Sequence, residues 1–244
     1  MKLLLLSALP REVSAIARML GPKTRLPHLP PGSFRVRHGG HEITIAETGM
    51  GVERAARLYD LIVPRITPDM IISLGYCGAL AEGIGVGDLV KASSVYLING
   101  NKIERSPLPD SGRLGAAFSS GLPIRDAAFL TLARWMKKRE ILPLVPPDAP
   151  LPVCDMETFP LAKLSLENGI PFLAIRSVSD VAAEDFAFSP ADVCDKSGRY
   201  SVRRALGLFL FRPRLLPHAL KLRKSSGRAS ASLARAIDAL LRIM

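Results

Sequence analysis

The chain has 244 residues, 48% hydrophobic and 23% charged, enough for one domain with a full core. Its formal charge of +11 sits at one end: residues 196–244 hold 12 Lys and Arg against one acid, Asp238, while residues 1–195 hold 21 of each sign. Three scattered cysteines (Cys77, Cys154, Cys194) without a CxxC pair exclude a disulfide scaffold and a structural zinc site and indicate a cytoplasmic compartment, and no apolar run reaches the ~18 residues of a membrane span.

Lys2–Leu6 predicts a buried strand rather than a secretory signal, because the apolar run is short and Pro10-Arg11-Glu12 follows at once. Arg11–Leu20 predicts a helix with Val13, Ile16, Ala17 and Leu20 on one face. After a Pro-rich loop, Ser33–Arg37 and Glu42–Glu47 predict a hairpin about Gly39-Gly40. Thr48-Gly49-Met50-Gly51 predicts a turn into a helix over Val52–Val63. Met70–Leu74 predicts a second buried strand, closed by a turn at Gly75-Tyr76-Cys77-Gly78. Val86–Val90 leads into a strand through Leu97.

Residues 105–126 read as loop and Ala127–Arg139 as a helix, on which Trp135 is a packing residue. Leu142–Pro152, with five prolines, reads as an extended loop. Thr158–Asn168 predicts a helix with Gly169 past its end, and Pro171–Val178 predicts the last strand. Alternating strands and helices predict an α/β fold: one domain with a mixed, largely parallel central sheet flanked by helices.

Two carboxylates stand out. Glu157 lies at the start of the Thr158 helix, and Asp180 lies just past the last strand, where open α/β sheets place ligands. Either acid alone reads equally well as a helix cap. Together with the glycine turns they form an ordered set. Ser7-Ala8-Leu9-Pro10-Arg11-Glu12-Val13, Thr48-Gly49-Met50-Gly51-Val52, Gly75-Tyr76-Cys77-Gly78-Ala79-Leu80 with Val86-Gly87-Asp88-Leu89-Val90, and the Met156-Glu157 and Ser179-Asp180 pairs occur in series. This set resembles the purine nucleoside phosphorylase and methylthioadenosine nucleosidase superfamily, over about residues 1–100 and 150–185.

The resemblance implies a nucleoside phosphorylase-like fold, usually dimeric or hexameric, with no cofactor and no metal, and cleavage of a nucleoside N-glycosidic bond. It also implies site residues. Asp180 is the acid for N7 of the base, beside Ser179. Glu157 holds the ribose hydroxyls, with Met156 packed on the sugar. Glu12 orients water. Gly49, Gly75 and Tyr76 line the substrate site. Phosphorylases of the family use an arginine and a serine near the second glycine turn. Here Ser73 and Tyr76 correspond, which tilts the expectation to water and leaves phosphate open as a co-substrate. The family's segment ahead of Met-Glu, which supplies an aromatic for the base, is not evident in residues 105–152. Phe118, Phe129 and Phe159 are candidates, Phe159 nearest a motif.

Residues 1–195 thus form the expected catalytic domain, and 196–244 a basic amphipathic helical tail. Leu206, Phe209, Leu210 and Phe211 among Arg203, Arg204, Arg212 and Arg214 have the composition of an interfacial element. An ordinary C-terminal helix packed on the domain is the alternative. Nucleic-acid binding is disfavoured, for want of aromatic platforms. Arg-Pro-Arg-Leu-Leu-Pro followed by an Arg/Ala-rich helix resembles the hopanoid-associated phosphorylase branch, linked to removing adenine from adenosylhopane. A methylthioadenosine/adenosylhomocysteine-type nucleosidase, a purine nucleoside phosphorylase and a non-catalytic lipid-binding protein stay open as alternatives. His38-Gly39-Gly40-His41-Glu42 reads as a hairpin turn rather than a metal cluster.

Overall fold

The computed structural model describes residues 1–111, 123–185, 190–193 and 201–243. In chain order the elements are β1 (Lys2–Ser7), α1 (Pro10–Met19), β2 (Thr24–Arg25), β3 (Phe34–His38), β4 (His41–Glu47), α2 (Val52–Ile66), β5 (Met70–Ala79), β6 (Leu89–Asn99), β7 (Lys102–Ser106) and β8 (Ile124–Leu132). There follow α3 (Lys138–Ile141), β9 (Val153–Asp155), α4 (Thr158–Glu167), β10 (Phe172–Asp180), α5 (Pro190–Val193), α6 (Val202–Phe211) and α7 (Leu216–Ile243).

The sheet is mixed. β1 lies between β4 and β5, parallel to both, and β10 runs parallel to β5. β10 also pairs antiparallel with β6, which leads through β8 and β9 back to β5, so five strands close on themselves. Closure removes exposed edges from this part of the sheet. Leu3, Leu4, Leu5 and Leu6 are fully buried because β1 has helices on both faces, so its sequence runs apolar without alternation. Leu4 and Leu6 join the layer under α2 and α4; Leu3 and Leu5 join that under α1 and α7.

Two expectations are corrected. Residues 124–132 form a strand, not the start of a helix over Ala127–Arg139: Ala127, Ala128, Phe129 and Leu130 are buried between β6 and β9. A short apolar run buried on both faces carries no period that separates strand from helix. Trp135 lies half-buried in the loop after β8. There it lines a cavity of about 500 Å³ with Asn101 and Leu144.

Gly75-Tyr76-Cys77-Gly78 does not turn. β5 continues through it to Ala79, held by β10 on one side and β9 on the other.

The described part of the cationic C-terminal segment includes a helix end that packs on the domain, the alternative to an interfacial tail. The second half of α7 packs Leu233, Ala236, Ile237 and Leu240, all fully buried, against α1 and the β1 face. Their i, i+3, i+4, i+7 spacing makes one helix face apolar. The cationic stretch before it presents Leu210, Phe211, Leu216 and Leu220 to solvent. Among the described residues no helix is long and apolar enough to cross a membrane.

Candidate active site

The site is built at the C-terminal ends of β1, β4, β5 and β10, with β9 crossing the end of β5. Glu12 stands in the first turn of α1, directly after β1. Its Oε2 accepts from the Leu9 N–H at 2.8 Å, a capping arrangement. Its Oε1 accepts from the Tyr76 N–H of β5 at 3.1 Å. Glu12 is only 4% exposed, and burial raises its pKa to about 7 despite these bonds and the nearby Arg176 charge.

Glu157 precedes α4 and reaches across to the glycine turn after β4. The Gly51 N–H donates to its Oε1 at 2.8 Å, so the carboxylate sits at the N-terminus of α2. Gly49 and Gly51, with φ of 70° and 103°, supply the left-handed backbone that turns this N–H outward. Burial, then the neighbouring Asp155 charge, raises Glu157 to about 8, and Glu12 adds to the shift.

Asp180 ends β10. The β10–β5 register slips between Val178 and Asp180, a bulge that re-aims the last side chain. Ser179 Oγ donates to Asp180 Oδ1 at 2.6 Å, and Lys138 Nζ is 2.5 Å from Oδ2. Burial raises the Asp180 pKa, and Lys138 and Ser179 oppose that rise.

The glycines of β5 make room for these acids. A Cβ on Gly75 would lie 2.9 Å from Glu12 Oε1, and one on Gly78 would lie 2.8 Å from Asp180 Oδ2. What the sequence suggests as a turn is a strand whose missing side chains let two carboxylates approach. Gly75 and Gly78 are about 10 Å apart along the strand, by its rise per residue.

Beneath the acids is a buried network. Arg176 Nη2 donates to Asp155 Oδ2 and to Ser73 Oγ, each at 3.0 Å, and to Thr158 Oγ1 at 2.8 Å. Thr131 Oγ1 donates to Asp155 Oδ1 at 2.7 Å and accepts from the Phe159 N–H at 2.9 Å. Together these bonds fix the start of α4, where Glu157 sits.

The expected site residues divide. Glu12 lies against Gly75, Glu157 lies on the Gly49–Gly51 turn within electrostatic reach of Glu12, and Asp180 with Ser179 lies by Gly78 at the end of the same strand. Met156 is half-buried, packed against the cluster of Leu80, Tyr96, Leu130 and Ile141. Tyr76 contributes its backbone N–H, while its ring packs in the α1–α7 layer and its hydroxyl lies towards Ser230. Phe159 is 3% exposed in the core under α2 and α4, and Phe129 is fully buried with the Arg176 guanidinium 6.0 Å from its ring centre. Neither ring is presented at the rim, and Phe118 lies outside the described residues. Ser73 is buried against Arg176.

Sequence reasoning missed Lys138, Arg176 and Asp155. For Arg176 a signal existed: a lone cation inside an otherwise apolar strand needs a buried partner. Among the described residues no three His, Cys, Asp or Glu side chains cluster as a metal site.

Residues 2–201 match the family model described as the phosphorylase superfamily. The chain is 24% identical over 192 residues to a 5′-methylthioadenosine/S-adenosylhomocysteine nucleosidase of Shewanella piezotolerans, covering 69% of this chain and 81% of that one. It is 25% identical over 179 residues to the nucleosidase of the same name from Listeria innocua, covering 62% and 73%. Among solved structures, the Streptococcus pneumoniae MTA/SAH nucleosidase with 8-aminoadenine superposes with a TM-score of 0.74 at 18% identity over all of both chains. Futalosine hydrolase of Helicobacter pylori gives 0.70 at 13% identity, covering 100% and 98%.

Proposed function

The chain belongs to the phosphorylase superfamily, and we infer that it cleaves the N-glycosidic bond of a 5′-modified adenine nucleoside, releasing adenine. The observation that carries this reading is the placing of Glu12 beside Gly75 and Asp180 beside Gly78 on one strand, β5, with Glu157 close enough to Glu12 for each carboxylate to feel the other. Asp180 faces the base and protonates N7. Glu157 holds the ribose hydroxyls and lies near the positive charge that develops on the sugar. Glu12 takes the proton of the attacking water.

Water is the nucleophile in this reading. An incoming phosphate would use the Gly51 N–H, Ser73 and a buried arginine. Here Glu157 occupies Gly51, and Arg176 binds both Ser73 and Asp155. A second anion at that spot would also face Glu157 itself.

The finer substrate reading is a lipid-linked nucleoside, adenosylhopane. Leu210, Phe211, Leu216 and Leu220 are exposed among the Arg and Lys of α6 and early α7. Lys221 pairs at 2.5 Å with Glu184, four residues past Asp180, so this apolar, cationic edge adjoins the site. Such an edge suits the surface of an anionic bilayer carrying the substrate.

The test is adenine release from methylthioadenosine and from adenosylhopane in anionic vesicles, each with and without phosphate. Release without phosphate, faster per unit substrate from the vesicles, is expected. A requirement for phosphate overturns hydrolysis, equal use of both nucleosides overturns the lipid preference, and no release from either leaves a lipid-binding protein on an enzyme fold.

Gly75→Ala places a methyl group 2.9 Å from Glu12 Oε1 and 3.4 Å from Arg176 Nε. Displacing Glu12 by even ~1 Å lowers kcat by about 10²-fold. Steady-state rates, together with a melting curve that confirms the fold, check this.

A further inference from the structure

Lys138 opens the four-residue helix α3, yet it is only 6% exposed, which is rare for a lysine. Its Nζ lies 2.5 Å from Asp180 Oδ2, and it donates to the Val181 carbonyl at 2.5 Å and more weakly to that of Asp180 at 3.4 Å. Its backbone N–H is held by Asp185 Oδ1 at 2.8 Å. The pocket for this ammonium exists because residue 78 is glycine: a Cβ there would lie 3.4 Å from Lys138 Cε and 2.8 Å from Asp180 Oδ2. Burying an ammonium costs several kcal/mol unless a fixed anion faces it, and here that anion is the proposed acid.

The other groups that face Asp180 do not replace it. Ser179 on β10 donates to the opposite oxygen, Oδ1. Cys154 on β9 and Cys77 on β5 are thiols that burial keeps protonated. Glu184, in the loop after β10, is a like charge and opposes ionisation of Asp180. Among these neighbours Lys138 is the cation in contact.

We propose that Lys138 is a positioning residue that makes Asp180 a stronger acid: its ammonium holds the carboxylate that remains once the proton has passed to the purine. This rests on the reading that Asp180 faces the base. As the C1′–N9 bond breaks, its electron pair moves into the purine ring, N7 takes the proton of the Asp180 carboxyl, and Asp180 is left as a carboxylate. The attacking water forms the C1′–O bond and loses a proton to Glu12; Glu12 then releases that proton to solvent and solvent returns one to Asp180, which restores both groups for the next turnover. An ammonium on Lys138 facing a carboxylate on Asp180 is the charge pattern after proton delivery, and the 2.5 Å separation already places the two groups for it. This fixed geometry means that little has to reorganise to reach that state.

The test is the pH profile of kcat/KM for Lys138→Met, Lys138→Gln and Lys138→Arg. Activity that needs protonated Asp180 falls as pH rises through the Asp180 pKa. Without the cation that alkaline limb moves up by about one pH unit or more, while the plateau drops about 10-fold because the acid is weaker. Lys138→Arg keeps the limb where it is in the native chain. Lys138→Gln retains a donor for the Val181 carbonyl and serves if Lys138→Met does not fold. A lowered plateau with an unmoved limb in the charge-removing variants means a purely structural Lys138 and overturns the proposal. If Asp180→Asn itself leaves turnover intact, the reading of Asp180 as the base-side acid fails instead.

Discussion

Asp180→Asn lowers adenine release by ~10²-fold or more, the range for loss of a positioned general acid. The substitution keeps the shape of the side chain and an oxygen for the Ser179 hydroxyl, which donates to Oδ1 at 2.6 Å. It removes the transferable proton and the negative charge. A second effect follows from Lys138. With its anion gone, the buried ammonium has only carbonyl partners, and breaking one side of a buried pair costs about 3–5 kcal/mol. The single variant therefore melts lower as well as turning over slowly. Asp180→Asn combined with Lys138→Met separates the two effects. The double variant recovers much of the melting temperature because no charge is left unpaired, and it recovers none of the activity. Steady-state kinetics and thermal melts of the three proteins read both. Near-native turnover in Asp180→Asn would remove Asp180 from the chemistry.

The parts of the fold legible in the sequence are those with a clear period or terminus. α1 shows its apolar stripe at Val13, Ile16 and Ala17, and β10 shows an apolar run that ends on Asp180. β8 was not legible, because a strand buried on both faces looks like any short apolar segment. The Gly75–Gly78 stretch misled for another reason. Glycine normally weakens a strand, and only the carboxylates approaching it from α1 and β10 explain its presence in β5.

The candidate site divides along the same line. Acids placed next to strand ends are readable from local sequence. Arg176 and Asp155 are 21 residues apart and meet only because β9 and β10 both pair with β5. Lys138 falls within the span that reads as a helix over Ala127–Arg139; β8 instead ends at Leu132, and Lys138 opens the separate short helix α3 with its side chain buried. The C-terminal segment carries two signals: its charge reads as an interfacial tail, and the spacing of Leu233, Ala236, Ile237 and Leu240 reads as a packed helix face, which is how these four lie. Deleting residues 196–244 would therefore remove core as well as cations. Substituting the exposed Leu210 and Phe211 is the sounder way to probe the surface.

Glu12→Gln is the second large expected loss, again ~10²-fold or more in kcat, because the amide cannot take the proton of the attacking water. In the native chain burial raises Glu12 to about 7, so kcat/KM climbs as pH rises through neutrality and the carboxylate forms. In the variant the contribution of Glu12 to that climb is gone. Stability gives an independent reading of the same proton. Glu12 binds its proton more tightly when folded, with a pKa of about 7, than an ordinary glutamate does at 4.5, so the native chain loses stability as pH rises from about 5 through 7. Glutamine does not titrate. It also turns an amide donor towards one of the two N–H groups, of Leu9 and Tyr76, that Glu12 accepts from. The variant therefore melts below the native chain at pH 5, and the gap narrows towards pH 8. A gap that stays constant with pH places the raised pKa on another group, and a gap that widens with pH reverses the sign of the burial effect. Turnover that survives the substitution assigns the water to Glu157, the other carboxylate that Glu12 feels across the rim.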